Sequence, residues 1–263
     1  MTETTPDSDP GEPTESPSES EIAADLRDSL AALATLSAVQ LDLTGLLTRV
    51  AECAVQAIPG ADGAGLTLLE KGHADVMVAS ASFVEAIDAI QYSLGEGPCI
   101  TAAAEGRTIR SGSLGGDTAW PRFGPRIGRL GVHSVLSLPL ITADVVVGAM
   151  NVYAHSKNAF DEDAARVGEL FAVPAAIAVQ NAQVLAQTKR LATQLQTALI
   201  SRSVIDQAMG IVMSRTGCTS DDAMGRLRER SQAENIKLST LAHSIVEDAV
   251  RRARTRHGGS EEA

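Results

Sequence analysis

Apolar residues in the C-terminal part of the chain recur every three or four positions, in three blocks separated by short polar turns, which places them on one face of each of three helices. Gly217 ends the first block, and Ser239 marks the start of the third. Thr219 and Asp222 have the spacing of a capping box, which starts the second block. The predicted core positions are Ile205, Ala208, Ile211, Val212, Ala223, Met224, Leu227, Leu238, Leu241, Ala242, Ile245 and Ala249. Such helices bury their faces only against one another, so residues 200–254 are predicted to form a three-helix bundle.

A helical pattern leads into this bundle without interruption, because neither Pro nor Gly occurs between Ala175 and Met209. Its seam positions alternate spacings of four and three, which is the heptad repeat of a two-stranded coiled coil. The seam comprises Val184, Thr188, Leu191, Leu195, Ala198, Arg202, Ile205, Met209 and Val212. Arg202 interrupts the seam. We predict a parallel homodimer with a coiled-coil linker over residues 183–199, and the alternative is a lone helix that packs on its own domain.

The chain before the linker mixes helical periodicity with short strand-like runs. The predicted helices are residues 21–58 (interrupted near Asp42), 82–90 and 163–187, and the predicted strands are 63–69, 75–80, 108–111, 132–138 and 145–153. Pro174 is expected to kink the last helix or divide it in two. The last two strands, joined through residues 139–144, have the pattern of an antiparallel pair. This order predicts an α+β domain around an antiparallel sheet, over residues 21–182.

Composition places the protein in the cytoplasm. Residues 1–20 are acidic and almost without apolar side chains, so they are predicted to be a disordered tail, and residues 255–263 a flexible one. No run approaches the roughly 18 to 20 consecutive apolar residues that span a bilayer, and the N-terminus has no signal-peptide pattern. No contact with a membrane is expected.

The sequence offers little to catalysis or metal binding. Cys53, Cys99 and Cys218 are odd in number and far apart, which favours a reducing compartment over a disulfide framework. The five histidines are scattered and no CxxC or HxxxH spacing occurs, so no metal is expected. Neither a Ser, His and acid arrangement nor a pair of carboxylates converges, and we do not expect an enzyme.

Charge is distributed unevenly along the chain, whose formal net charge is −11. Residues 189–257 hold 12 Lys and Arg against 7 Asp and Glu, whereas residues 1–188 hold 10 against 24. A basic module on an acidic protein points to a polyanionic partner. The alternative is an ordinary solvated helical face.

The C-terminal bundle resembles the ANTAR domain, a three-helix RNA-binding module of bacterial transcription antiterminators. The residues that carry the resemblance are Ile205, Gln207, Ala208, Gly210, Ile211, Met213, Arg215, Gly217, Asp222, Ala223, Leu227, Arg228, Ser231, Gln232, Asn235, Lys237, Leu238 and Ala242. Met209 departs from a lysine that is usual in the family, and Met224 from an aromatic. The resemblance implies binding to stem-loops of nascent transcripts. Its implied RNA-binding residues are Arg215, Arg228, Ser231, Gln232 and Lys237, with Arg202 and Arg226 as weaker contacts to the RNA backbone and Gly210 and Ala223 as sites of close helix approach.

The α+β domain resembles a GAF domain, of the kind fused to ANTAR modules. The resemblance rests on ADGAGLTLL (61–69), GEGPC (95–99), Trp120 with Phe123, SVLSLPL (134–140), GAMNV (148–152) and Phe160. It implies a dimerising sensor of a small molecule or of redox state, with the ligand unknown.

Four residues of this domain are candidate ligand contacts, each with a structural alternative. Glu96 either holds a ligand amine or caps the following helix. Cys99, in a loop expected to line the pocket, is either a redox thiol or a small buried residue. Trp120 and Phe123 either stack on a ligand ring or anchor the core.

These observations predict a sensor-regulated RNA-binding antiterminator. One alternative is a DNA-binding regulator, although the turn at residues 215–219 and the placement of polar positions do not give a recognition helix. A second is a thiol redox sensor or a reductase of free methionine sulfoxide. That chemistry needs neighbouring thiols, and only Cys53 and Cys99 are available in the sensor domain.

Overall fold

The computed structural model describes residues 18–36, 41–70, 73–143 and 145–258. They form two compact units, the first ending at Ala186 and the second beginning at Gln187. Most of the tail predicted for residues 1–20 lies outside the described residues, as do residues 259–263. The helices are α1 (Glu19–Leu36), α2 (Leu43–Ala57), α3 (Ser82–Leu94), α4 (Pro98–Glu105), α5 (Gly124–Arg129), α6 (Glu162–Thr216), α7 (Ser220–Ala233) and α8 (Leu238–Gly258). The strands are β1 (Gly63–Glu70), β2 (His73–Ala79), β3 (Ile109–Ser111), β4 (Ser134–Thr142) and β5 (Val145–Ala154).

The strands of the first unit form one five-stranded sheet in the order β2-β1-β5-β4-β3. Every pairing in it is antiparallel. The predicted α+β class with a central antiparallel sheet, followed by a long helix and further helices, is confirmed.

The two faces of this sheet differ in chemistry because side chains alternate along each strand. One face carries leucine, methionine and valine from β1, β4 and β5, and it packs against α1, α2 and the first turns of α6 in the larger apolar core. The opposite face carries Thr67, Ser137, Asn151 and Tyr153, and it lies under α3 and α4. A second apolar core on that side contains Trp120 and residues of α3 and α5. The sheet therefore has one apolar face and one partly polar face.

Two prolines lie inside regular elements rather than at their ends. Pro139 was predicted to belong to a turn, but it lies within β4 and is paired with Ala149 of β5. This is possible because β3 pairs with β4 only as far as Ser137. On that side of β4 no strand pairs with Pro139, so none requires the N–H that proline lacks. Pro174 lies inside α6 and does not divide it.

The second unit confirms the helix boundaries that local sequence signals set. Gly217 has φ +69° and its N–H binds the carbonyl of Met213, which ends α6. Both hydrogen bonds of the capping box between Thr219 and Asp222 are present at the start of α7. Helix α8 begins at Leu238, one residue before the predicted start at Ser239.

The core of the second unit is formed by the last turns of α6 together with α7 and α8. Its buried members are Ala208, Leu227, Leu241 and Ala242, with Ala223 also buried. Ile205, Met209 and Val212 pack against this core, so the last three positions of the predicted heptad seam are occupied within a single chain. These three side chains are partly buried within the chain, whereas Val184, Leu191 and Leu195 are more than half exposed. The dimer seam stays a prediction.

By length and composition, α6 is the one helix of the described residues that could cross a membrane. Its most apolar 18-residue window has a mean hydropathy of 1.3. A core helix of a protein without any membrane contact passes the same test, and the first turns of α6 pack on the sheet.

Candidate nucleic-acid interface and buried polar centre

Helix α7 places two of the predicted RNA-binding side chains on one exposed face. Ala223 and Leu227 are buried, and Arg228 and Gln232, four residues apart, lie on the opposite side of the helix and are exposed. Arg228 makes no ion pair or hydrogen bond in the described part of the chain. Arg230, by contrast, is held by Glu234 at 2.7 Å. Arg228 and Gln232 are therefore a cation and an amide available to a partner.

The turn from α7 to α8 uses Ser231 for its own structure. The Ser231 hydroxyl donates a 2.6 Å hydrogen bond to the carbonyl of Ile236, and Asn235 adopts a left-handed backbone with φ +51°. The Ser231 hydroxyl proton is therefore used within the turn, which competes with the predicted contact between Ser231 and RNA. Lys237 is exposed just before α8, and its carbonyl accepts from the N–H of Leu241.

The remaining basic candidates lie elsewhere in the unit. Arg226 is exposed on a different side of α7 from Arg228, near Asp222. The Thr219 hydroxyl is the main cause of the lowered pKa of the Asp222 carboxyl, and Arg226 contributes to it. Arg202 is exposed on α6, several turns before the end of that helix. Arg215 lines a groove of about 550 Å³ between α6 and α8, whose other lining residues include Gly210, Ile211, Val246 and Ala249.

Two helical glycines in this unit have open space where a side chain would be. A Cβ added to Gly210 or to Gly225 would meet nothing within 4 Å, whereas one added to Gly168 of α6 would lie 2.9 Å from Leu138. The prediction that Gly210 permits close helix approach is wrong. Glycine inside a helix costs about 1 kcal/mol relative to alanine, and packing within the chain does not offset this cost at either position.

A hydrogen-bonded polar cluster is buried between the sheet and α3 in the first unit. Oδ1 of Asp88 accepts from the Tyr153 hydroxyl at 2.7 Å and from Nδ2 of Asn151 at 3.1 Å. Asn151 in turn accepts from the hydroxyl of Ser137 at 2.7 Å. Gly65 of β1 makes room for the carboxyl group, since a Cβ there would lie 2.2 Å from Oδ2 of Asp88.

Burial controls the protonation of this centre. It raises the pKa of Asp88 to about 6, and the hydrogen bonds from Tyr153 and Asn151 oppose that rise. Burial also raises the pKa of the Tyr153 hydroxyl well above its ordinary value. Asp88 can therefore gain a proton near neutral pH.

The polar cluster continues to the start of α4 through Gln91. The side-chain carbonyl of Gln91 accepts from the N–H of Cys99 at 2.9 Å, and the Tyr92 hydroxyl lies 3.4 Å from the Cys99 sulfur. Nε2 of Gln91 and Oγ1 of Thr67 are buried without a hydrogen-bond partner among the described residues. Unsatisfied buried groups are costly, so this is where a ligand or a water would find open donors.

The four predicted ligand residues of this unit have structural roles. Cys99 is not in a loop: it lies in the first turn of α4, fully buried, and burial raises the pKa of its thiol to about 12. Oε1 of Glu96 accepts hydrogen bonds from the backbone N–H groups of Arg122 and Phe123, just before α5. It therefore does not cap α4, the helix that follows it in sequence. The N–H of Phe123 is the main cause of the lowered pKa of Glu96.

Both aromatic candidates belong to the core. Phe123 is fully buried, and the indole N–H of Trp120 donates a 3.1 Å hydrogen bond to the hydroxyl of Thr101. Of the predicted set, only Cys99 touches the polar cluster. Sequence reasoning missed the members Asp88, Gln91, Ser137, Asn151 and Tyr153. A signal for two of them exists, since Asn151 and Tyr153 alternate with the apolar residues of β5.

The two thiols of the first unit are not neighbours. Cys53 belongs to α2 on the apolar side of the sheet, Cys99 lies on the opposite side, and Cys218 belongs to the second unit. All three are free. This arrangement does not supply a pair of reacting sulfurs.

A model of the GAF domain matches residues 40–180, and a model of the ANTAR domain matches residues 193–246. No curated protein matches the chain. The GAF domain of a phosphoenolpyruvate-protein phosphotransferase from Coxiella burnetii is 18% identical, with a TM-score of 0.47 over 64% of this chain and 98% of that one. The free methionine-R-sulfoxide reductase from Neisseria meningitidis, solved with its substrate, is 17% identical, with a TM-score of 0.47 over 66% and 96%.

Proposed function

Because the chain belongs to the GAF domain family and carries an ANTAR domain after its GAF domain, we propose that it is a signal-regulated RNA-binding transcription antiterminator. The ANTAR domain makes it an RNA-binding regulator, and the GAF domain is its sensor. In this proposal residues 200–254 bind stem-loops of nascent transcripts and residues 21–182 receive the signal. The observation that carries the proposal is the exposed pair of Arg228 and Gln232 on the face of α7 opposite its buried side.

The chemistry of this face suits single-stranded RNA. Loop bases are splayed out of the stack, which leaves their edges open to amides and guanidinium groups and their phosphates open to cations. The guanidinium of Arg228 has donors in a rigid fork that matches a base edge or a phosphate, and Gln232 offers both a donor and an acceptor. Lys237, in the connection between α7 and α8, supplies a flexible point charge. Arg202 and Arg226 are assigned to weaker backbone contacts.

We further propose a homodimer joined through the GAF domain and the linker of residues 183–199. In the first unit Leu170, Val173 and Ile177 are more than half exposed on α6, and in the second unit Leu191 and Leu195 are equally exposed. A heptad partner would bury these side chains. Each dimer would then present two RNA-binding modules, which suits two adjacent stem-loops.

Regulation would follow from the connecting helices. A signal that changes their pairing or rotation would change the separation of the two modules. Coupling of the usual size, about 1 to 3 kcal/mol, would change RNA affinity roughly 5- to 150-fold. The buried centre around Asp88 is our candidate for the input, through a small-molecule ligand that we leave unnamed, and we place the protein in the cytoplasm.

Two other functions have less support. A thiol redox sensor would need an accessible thiolate, and Cys99 is fully buried with its thiol pKa raised to about 12. A DNA-binding regulator would need a recognition helix with several base-reading side chains on one face. On α7, Arg226 lies on a different side and Arg230 is held by Glu234, which leaves Arg228 and Gln232 on the exposed face.

Binding of the purified chain to a paired stem-loop RNA and to a duplex DNA of equal length, across a salt series, tests the proposal. Tight RNA binding that weakens with salt, together with weak DNA binding, is the expected result. Tighter binding to the DNA than to the RNA would contradict the proposed function. If both bind weakly, removal of residues 1–188 separates a module that awaits its signal from a module that does not bind RNA.

A further inference from the structure

The groove between the last turns of α6 and the second half of α8 has no role in the function proposed so far. Its floor is apolar, formed by Ile211, Val246 and Ala249, and Gly210 lies on the α6 side. We propose that this groove receives one unpaired nucleobase of the bound RNA. The inference rests on the proposed RNA-binding function. It adds a second RNA contact, on α6 and α8, to the one proposed on the exposed face of α7.

The lining of the groove matches the parts of a nucleotide. The apolar floor can pack against the flat face of a base, and the amide of Gln207 and the hydroxyl of Ser214 can bond to its edge. Arg215 supplies the cation for the phosphate or a guanidinium plane for stacking. The volume of about 550 Å³ lies in the range of about 300 to 1,000 Å³ that is usual for ligand pockets. A nucleotide has all three features that the lining requires.

Gly210 is the residue that keeps the groove open. It lies within α6, two residues from the buried Ala208, and a side chain there would meet open space rather than a neighbouring helix. An isolated glycine inside a helix is unfavourable unless packing or function requires it. Packing within the chain does not require it here, because a Cβ would meet nothing within 4 Å. Gly210, unlike Gly225, lines the groove, where a partner can approach its backbone.

Charge distinguishes a nucleic acid from a second copy of this chain. The lining includes Arg215 but neither Asp nor Glu. Residues 189–257 hold 12 Lys and Arg against 7 Asp and Glu, so the same region of a second copy would bring an equal excess of positive charge to the groove. Like charges oppose that contact, whereas the phosphates of an RNA strand favour it.

The test compares full-length variants on two RNA probes, hairpins with a fixed stem and a randomised loop and the same stem as a loop-free duplex. Gly210→Leu fills the groove, and Gly210→Ala adds only a Cβ. Ser203→Leu is the matched control, because it adds the same side chain two turns earlier on α6, outside the groove. Fluorescence anisotropy gives the affinities, thermal melting reports folding, and light scattering reports the oligomeric state.

We expect Gly210→Leu to weaken hairpin binding roughly 5- to 150-fold, which is the effect of losing one base contact. Ser203→Leu should stay within about twofold of the wild type, and the loop-free duplex should not distinguish the variants. Gly210→Ala should raise Tm by about 2 to 4 °C while it weakens hairpin binding. A higher Tm together with weaker hairpin binding would not arise if Gly210 had a purely structural role.

Hairpin affinity of Gly210→Leu equal to that of the wild type would overturn the nucleobase site and leave the proposed function intact. A variant that keeps its RNA affinity but changes oligomeric state would overturn the site in favour of a second copy. Failure of the wild type to prefer hairpins over the duplex would remove the proposed function and this inference together. If Gly210→Leu does not fold, the hairpin affinity of Gly210→Ala decides whether the nucleobase site exists.

Discussion

The hydroxyl of Tyr153 donates a 2.7 Å hydrogen bond to Oδ1 of Asp88, which connects the central strand β5 to α3 through two buried side chains. Burial raises the pKa of Asp88 from 3.8 to about 6. The stability that the neutral carboxyl provides is therefore complete below the unfolded value and is lost as pH rises through about 6. The first unit should thus become less stable as pH rises from 4 toward 7.

Asp88→Asn should remove this pH dependence, because the amide can still accept from Tyr153 but cannot ionise. We expect the difference in free energy of unfolding between variant and wild type to grow with pH, up to about 3 kcal/mol, from the size of the pKa shift. Urea unfolding followed by Trp120 fluorescence measures it, since this is the single tryptophan of the chain and lies in the first unit. Asp163→Asn, on the surface, is the control. Parallel stability curves for Asp88→Asn and wild type would contradict the prediction.

Tyr153→Phe should leave one hydrogen bond fewer on a buried carboxyl group. The expected loss is about 1.5 to 3 kcal/mol of unfolding free energy at neutral pH, the range for hydrogen bonds to charged groups. Tyr92→Phe is the comparison, because its hydroxyl contacts the Cys99 thiol, a weak partner, and should cost less. Equal losses in the two variants would show that the Asp88 bond contributes no more than an ordinary one.

Polar substitution of Leu191 and Leu195 should convert a dimer into monomers. Both side chains are more than half exposed on α6, and a heptad partner is the surface that would bury them. Light scattering of Leu191→Gln/Leu195→Gln against wild type measures the change, with Thr193→Gln as a control at an exposed position off the seam. A dimer that persists would move the interface to the first unit, where Leu170 and Val173 are exposed.

Arg228→Ala should weaken RNA binding by about 1 to 3 kcal/mol and leave the helix content unchanged. Arg230→Ala is the matched control: it removes the same charge from the same helix, but Arg230 is held by Glu234. Titration of both variants with the stem-loop RNA separates a specific contact from a general loss of charge. Equal weakening in the two variants would remove Arg228 from the site.

Local signals in the sequence predicted most of the elements of this protein. The capping box of Thr219 and Asp222 and the helix end at Gly217 depend on backbone groups a few residues away, and both are as predicted. Pro139 was misplaced because its acceptability in β4 depends on where β3 stops pairing, which is a property of the sheet. Cys99 was predicted to lie in a loop because the preceding residues, Gly95 to Pro98, have the composition of a loop. In the structure α4 begins at Pro98.

The candidate sites show the same division. The resemblance to the ANTAR domain implied Arg228 and Gln232, and helical periodicity places these two positions, four apart, on one face. Ser231 could not be assigned, because its hydroxyl bonds to the carbonyl of Ile236 across the turn. The partnership of Asp88 with Tyr153 joins residues 65 positions apart, and no spacing rule connects them.

The sequence by itself determined most of the elements, the family resemblance and the uneven charge, because each of these depends on residue identity and on spacing within one element. Tertiary structure alone decided that Ile205, Met209 and Val212 belong to the core of the second unit, that Gly210 faces an open groove, and that a carboxyl group is buried beneath α3. These outcomes depend on which surfaces meet, and that is set by the packing of the whole chain rather than by any stretch of it.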